Sequence, residues 1–143
     1  MTIDFQVFGV PIPKGSMKSF MRPGMRFPIV THDNLKSRPW ADGIRLQAQQ
    51  HAPAGGPWDG AVELHATFYL PRPKSLPKRI MYPTKKPDLD KLVRNLKDAL
   101  KGVIYLDDAQ VIHTVSAKHY ATAEAPPSVV VSLRRVACPT PKP

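Results

Sequence analysis

The segment from Pro87 to Val111 constrains this chain most: Pro-Asp-Leu-Asp-Lys-Leu-Val-Arg-Asn-Leu-Lys-Asp-Ala-Leu-Lys-Gly-Val-Ile-Tyr-Leu-Asp-Asp-Ala-Gln-Val. Pro87 is a poor helix-interior residue and favours an extended or turn conformation before it. If Asp88-Leu89-Asp90 is extended, its two carboxylates share a face and Leu89 points away. Lys91 to Lys101 then reads as a helix. At about 100° per residue, Leu92, Val93, Leu96, Ala99 and Leu100 fill one sector, and Lys91, Arg94, Asn95 and Asp98 a narrower polar arc. The apolar sector is expected to pack on a sheet, and Asp98 to pair with Arg94 at i, i+4. Gly102 suits a left-handed helix stop. Val103-Ile104-Tyr105-Leu106 runs on into the core and delivers Asp107-Asp108 to its edge. Consecutive side chains point different ways, so at most one of that pair is expected to face the earlier carboxylates squarely, and the other to cap a turn or anchor a backbone amide.

Elsewhere the chain alternates between strands and breakers. Thr2 to Val10 carries Ile3, Phe5 and Val7 at period two and reads as a strand that Pro11 and Pro13 stop. Lys14 to Phe27 reads as a loop, and Phe27-Pro28-Ile29-Val30 as a minor strand. A helix is expected from about Arg38 to His51, ended by Gly55-Gly56-Pro57. Ala61 to Leu70, Val111 to Tyr120 and Ser128 to Val136 supply three more strands. On the second of these, Val111, His113, Val115, Ala117 and His119 share a face. Between Pro71 and Pro87 lie five prolines and six Lys or Arg with no acid. That length without periodic structure marks a functional or disordered loop. The tail from 137 to 143 is expected to be disordered. The order strand, helix, strand, helix, strand, strand predicts an α/β (α+β) two-layer arrangement in a single domain over 1–136.

Charge narrows the function. The chain has 21 Lys and Arg against 11 acids, a net charge of +10, yet Asp88, Asp90, Asp98, Asp107 and Asp108 all fall in the Pro87–Val111 segment. Carboxylates gathered on a basic protein suggest a divalent cation working on a polyanion, nucleic acid foremost. Lys14, Lys18 and Arg22 in the first loop are candidate DNA contacts. So are Arg72, Lys74, Lys78, Arg79, Lys85 and Lys86 in the basic one. No apolar run reaches the roughly 18 residues of a membrane span. The single Cys138 excludes an intrachain disulfide and a Cys-based zinc site. An intracellular, cytoplasmic protein is the expectation. The bland alternatives are that Asp88 and Asp90 cap a helix, that Asp107-Asp108 is an ordinary turn, and that the chain is a non-catalytic DNA-binding module. His65, His113 and His119 are expected to be packing or surface residues, and Trp40 and Trp58 to pack rather than stack on bases.

The pattern Asp88-x-Asp90, Arg94, Asp98-Ala99-Leu100 and Leu106-Asp107-Asp108-Ala109-Gln110-Val111 resembles the RusA family of Holliday junction resolvases. Gly9-Val10-Pro11-Ile12-Pro13-Lys14-Gly15 is similar to the opening of many members. These are small, often phage-encoded, homodimeric endodeoxyribonucleases. The resemblance implies a small mixed β-sheet with two main helices, a branched-DNA substrate and a homodimer. It also implies catalytic Mg2+, for which Mn2+ can substitute, bound by Asp88, Asp90 and Asp108, with Asp107 as a further candidate. Two positions depart from the family pattern. Lys91 stands where Asn is usual, and Arg94 where a functional Lys is usual. Arg is a permanently charged planar fork, so it suits phosphate stabilisation better than proton donation, and Lys91 is the other candidate cation. The readings carried forward are a magnesium-dependent junction resolvase cutting by paired nicks, the non-catalytic module, and a metal-dependent nuclease acting on flap or RNA substrates.

Overall fold

The structure, a computed structural model, describes residues 1–15, 17–21, 23–32 and 35–139, with the backbone alone at 17–20 and 29–32. Strand β1 (Thr2–Phe8) has the burial alternation its sequence demands, with Ile3, Phe5 and Val7 inward. It ends at Gly9, whose φ of +134° and approach to the Trp40 ring leave little room for a side chain. Two short strands, β2 (Met17–Phe20) and β3 (Ile29–His32), pair antiparallel as a separate hairpin. The stretch read as a loop therefore contains a strand: pairing with β3 supplies the order that four residues of weak alternation do not advertise. Helix α1 (Ser37–Gln50) buries Trp40, Ile44 and Ala48.

Strand β4 (Val62–Leu70) turns Val62, Leu64, Ala66, Phe68 and Leu70 to one buried face. The chain then crosses over through the basic loop and α2 (Leu89–Leu100) to β5 (Val111–Tyr120), which lies parallel to β4. Parallel neighbours require such a crossover, and it sets α2 on one face of the sheet. Strand β6 (Ser128–Arg135) completes the order β1-β6-β4-β5, antiparallel to both β1 and β4. The result is a mixed four-stranded sheet with two helices, as expected. The helices pack on each other, α1 against β1 and α2 against β5.

The core lies between the helices and the sheet. Leu92, Leu96, Ala99 and Leu100 of α2 are buried there with Val129, Val131 and Leu133 of β6. Truncating one such leucine to alanine costs about 2–5 kcal/mol. Trp40 and Trp58 belong to this core, as their packing reading required. The opposite face of the sheet meets neither helix and carries Glu63, His65, Thr67 and Tyr69 of β4 beside His113, Val115, Ala117 and His119 of β5.

The loop from 71 to 87 is built from turns. Leu76 donates its N–H to Pro73, Ile80 to Pro77 and Thr84 to Tyr82. Of the tail, residues beyond 139 lie outside the described region.

Candidate active site

Helix α2 starts two residues earlier than its pattern suggests. The Leu92 N–H already reaches the Asp88 carbonyl at 3.1 Å, so Asp88 is the N-cap and Leu89 and Asp90 are helical. The expectation of an extended Asp88-Leu89-Asp90 is corrected accordingly. Residues two apart at a helix start do not face each other, and of the two only Asp90 lines the cavity described below. Asp90 enters the first turn of α2, where the partial positive charge of the N-terminus favours a carboxylate. Asp88 stays exposed, and its side chain makes no capping hydrogen bond.

Asp90, Arg94 and Lys97 lie at i, i+4 and i+7 of α2, one stripe along the helix. They line a cavity of about 400 Å³ that Asp108 also lines. Its remaining wall is Val93 together with Thr114 and Ser116 on the helix-facing side of β5. Two carboxylates from separate parts of the chain thus share one concave space with two cations. Asp88 does not line it, and the described residues contain no group of three His, Cys, Asp or Glu side chains arranged to hold a metal ion.

Asp108 owes its position to a short 3-10 turn, Asp108–Gln110. Asp107 is the capping residue of that turn: its Oδ1 accepts from the Ala109 N–H at 3.0 Å. That N–H, then a hydrogen bond with the Asp108 carboxyl, then the charge of Lys101 hold the Asp107 carboxyl below its ordinary pKa. Asp107 is thus committed to the turn, and Asp108 lines the cavity beside Asp90, not Asp88. Gln110 fixes the turn from the other side. Its Oε1 accepts from Leu106 and Asp107 N–H groups at 2.9 and 2.8 Å, and its Nε2 donates to the Trp58 and Gly60 carbonyls, both at 2.8 Å. Beneath lies fully buried Tyr105, which donates its hydroxyl to the Lys97 carbonyl at 2.7 Å. Burial first, then the carboxylates of Asp108 and Asp98, push its phenol upward in pKa.

Other residues of the polar arc have different partners than expected. Asp98 pairs with Lys14 at 3.2 Å, not with Arg94. Asn95 is only 1% exposed, and its amide donates to the Ile12 and Ser37 carbonyls. It ties the segment after β1 and the start of α1 to α2, a structural task that a polar residue beside an apolar sector can perform. Lys91 is half-buried, and its carbonyl accepts from the Lys14 N–H.

Of the candidate DNA contacts, Lys74, Lys78, Arg79, Lys85 and Lys86 are exposed on the basic loop. Arg72 instead braces that loop. It donates to the Ile80 and Pro77 carbonyls at 2.7 and 2.9 Å and lies 5.2 Å from the Tyr120 ring centroid. Lys118 Nζ ties the loop's end to β5 through the Lys85 and Pro87 carbonyls, both at 2.9 Å. Arg22 and the Lys18 side chain lie outside the described residues. Sequence reasoning missed Lys97, Thr114, Ser116 and Gln110. Lys97 was recoverable from its i+7 relation to Asp90, and Thr114 and Ser116 from their alternation on β5. The capping-box spacing Asp107-x-x-Gln110 marked the local half of Gln110's role, but nothing local marked its bonds to Trp58 and Gly60, some fifty residues away.

The arrangement separates charge within one cavity: carboxylates suited to a hard cation, and guanidinium and ammonium groups suited to a phosphodiester. Among known proteins, an uncharacterized protein of Bacillus subtilis (strain 168), YqaN, is 33% identical over 144 residues, covering 94% of this chain and 96% of that protein. The family model described as endodeoxyribonuclease RusA matches residues 9–134. A match over that span, on a mixed sheet whose crossover helix carries Asp90 and Arg94 toward Asp108, makes this chain a member of the RusA family of endodeoxyribonucleases.

Proposed function

We propose that the protein is a magnesium-dependent endodeoxyribonuclease that resolves four-way DNA junctions by paired nicks as a homodimer. The observation that carries this reading is the shared cavity of Asp90 and Asp108, with Arg94 and Lys97 on its wall. Magnesium needs only one or two protein carboxylates when water and substrate phosphate fill its other positions, so this donor set fits it. Asp88, exposed at the N-cap of α2, lies outside this cavity, and its place as a third ligand rests on the family pattern alone. Mn2+ fits the same oxygen donors.

Bound there, the cation would lower the pKa of a water and stabilise charge on the leaving oxygen. The chain's own groups do the rest. Asp90 and Asp108 hold and orient the cation. Arg94 and Lys97 neutralise charge growing on the phosphorane oxygens. Lys91, three residues before Arg94, is the second candidate for that task. Thr114 and Ser116 offer hydroxyls to a phosphate oxygen or water. The exposed lysines of the basic loop hold a DNA arm by its backbone. Symmetric nicking needs two such sites, which a C2 pair of chains supplies.

The test is one assay on synthetic four-way junction, duplex, flap and RNA substrates, with Mg2+ or Mn2+, for the native chain, Asp90→Asn and Asp108→Asn. Junction-selective paired nicking by the native chain, lost in both variants while DNA binding persists, is the expected result. Salt-sensitive binding with no nicking in either metal would return the chain to a non-catalytic module. Preferential cutting of flap or RNA would move it to the other nuclease class.

A further inference from the structure

A second and larger cavity, about 750 Å³, opens on the neighbouring side of α2, between that helix and α1. Lys14, Arg38, Arg45 and Lys101 contribute four cations to its lining, against the carboxylates of Asp42 and Asp98. We propose that this cavity is a second phosphodiester site, holding the backbone of a nucleic-acid strand other than the one being cut. This rests on the proposed function for the identity of the polyanion, but not on the nicking chemistry.

Two of the four cations are part of the framework. Arg45 donates from Nε to the Ala99 carbonyl and from one Nη to the Asp98 carbonyl, both at 3.3 Å, bridging the seam between the helices at the C-terminal end of α2. Lys14 is held by Asp98 at 3.2 Å. Arg38 and Lys101 are different: both are exposed, and neither side chain makes a hydrogen bond or ion pair among the described residues. Two cations that face the cavity with no direct hydrogen bond or ion pair among the described residues (Lys101 feels only the charge of Asp107), beside two that are already anchored, form a receptor for an anion.

The chemistry of the walls selects the kind of anion. Asp42 and Asp98 reduce the net charge of the lining to +2, from four cations and two carboxylates. That suits one or two singly charged phosphodiesters better than a compact triphosphate. The one side-chain amide at the site, Asn95, has its donors committed to Ile12 and Ser37, so it is not available to read a base edge. Ala41 and Ala99 add only apolar surface. The site is therefore expected to be indifferent to sequence. Helix α2 is the wall between this cavity and the Asp90–Asp108 one. A helix with its side chains is about 10–12 Å across, close to the roughly 12 Å width of a major groove. A strand in each cavity would thus lie a groove's width apart, a spacing that two arms of a branched substrate or two sides of a groove can meet.

The test uses the full chain with Arg38→Ala/Lys101→Ala, and Arg38→Glu as a second variant. Both positions are exposed, so the fold is expected to persist, and thermal melting checks this. Affinity for a four-way junction and for duplex is measured over a salt series, and nicking is measured at saturating DNA. We expect junction affinity to fall by about tenfold or more in the double variant, with a salt slope lower by about two. The nicking rate at saturation should be unchanged within about twofold. Unchanged affinity and slope in both variants would overturn the site, as would a loss confined to the nicking rate. Because binding is the readout, a native chain that binds but does not nick defeats the nuclease reading and leaves this one measurable.

Discussion

The side-chain amide of Gln110 donates to the carbonyl of Trp58 at 2.8 Å, and through it the Asp108 turn is fastened to the segment that enters β4. All four of the amide's hydrogen bonds among the described residues go to backbone: two carbonyls before β4 and two N–H groups before the turn. Trp58 is itself 4% exposed and packed in the core, so the turn is fastened to the buried core. A carboxylate that must meet another from a different element within fractions of an ångström needs such an anchor.

Replacing Gln110 by alanine should therefore do more than destabilise. We expect a loss of about 2–3 kcal/mol, given about 1 kcal/mol net per hydrogen bond and partial replacement by water. In the nicking assay the rate at saturating DNA should fall while DNA affinity holds. Gln110→Glu separates the two halves of the contact. One carboxylate oxygen can still accept from Leu106 and Asp107, but the other then faces two carbonyls. That variant should be less stable than native near neutral pH and recover as acid protonates the new carboxyl. Denaturant melts at several pH values check this, and an unchanged nicking rate in both variants would remove Gln110 from the positioning of Asp108.

Tyr105 supports the site from below. Its phenol is neutral in the fold because burial and the Asp108 and Asp98 carboxylates oppose ionisation. Since the folded value lies above the unfolded one, its contribution is fully present below about pH 10 and is lost as pH rises above that. On alkaline titration Tyr105 should ionise only as the protein unfolds. Tyrosinate absorbance followed beside circular dichroism tests it. Tyr105→Phe leaves the Lys97 carbonyl without this donor and should cost about 1–2 kcal/mol.

Much of this fold is legible in period-two and period-3.6 patterns because its sheet has one buried face and its helices one buried stripe each. Val62, Leu64, Ala66, Phe68 and Leu70 announce β4, and Leu92, Leu96, Ala99 and Leu100 announce α2, since burial selects those positions directly. Strand β2 escapes that logic because it is four residues long, whereas its partner β3 overlaps the minor strand read at Phe27–Val30. At the site, residue type and spacing single out Asp90, Arg94 and the Asp107-Asp108 pair, and the family resemblance points to the second of that pair. That Asp88 stays outside the cavity could not be read this way, because it turns on where the helix begins, and boundaries shift with the tertiary contacts of the first turn. Asp98 and Asn95 chose partners, Lys14 and the Ile12 and Ser37 carbonyls, that lie far away in the chain. Local spacing carries no information about such pairings.

On the far face of the sheet, Glu63 joins three strands. It accepts from Arg134 of β6 at 2.5 and 2.9 Å, contacts His65 at 3.0 Å and lies 3.8 Å from His113 of β5. The hydrogen bonds with His65 and Arg134 lower its pKa to about 2. A depressed carboxyl stabilises the fold above its unfolded value, and the contribution is lost as pH falls through the folded one. The native chain and Glu63→Gln should therefore differ in stability from neutral pH down to about pH 4.5 and converge as pH falls toward 2. The difference should be small and shrink with added salt, as for exposed ion pairs generally. Urea melts across that range decide it; a gap that persists at the acid end assigns the effect to packing.

Arg94 tests how the family's usual lysine position works in this chain. If its guanidinium neutralises charge that grows in the transition state, Arg94→Ala should lower the nicking rate at saturation by about 10²–10³-fold. DNA affinity should change far less. Arg94→Lys keeps the charge but loses the planar fork. Activity within about tenfold of native means that charge suffices there, and a loss as deep as that of alanine means that two-point contact with phosphate is required. Equal loss of affinity and rate in Arg94→Ala would instead make it a ground-state DNA contact.

Asp90→Asn bears on the cavity itself, because a cation site leaves a signature in its absence. Two carboxylates facing one space repel when nothing neutralises them. In EDTA, relieving that repulsion is worth up to about 1 kcal/mol at a solvent-accessible site, and Asp90→Asn should melt about 2–4 °C above the native chain. Added Mg2+ should raise the melting temperature of the native chain and leave the variant nearly where it was, reversing or closing the gap. The opposite sign in EDTA, a variant that melts lower, would mean that Asp90 serves α2 as a carboxylate at its positive end and nothing more. Calorimetric titration of Mg2+ into both proteins separates these outcomes without any DNA present.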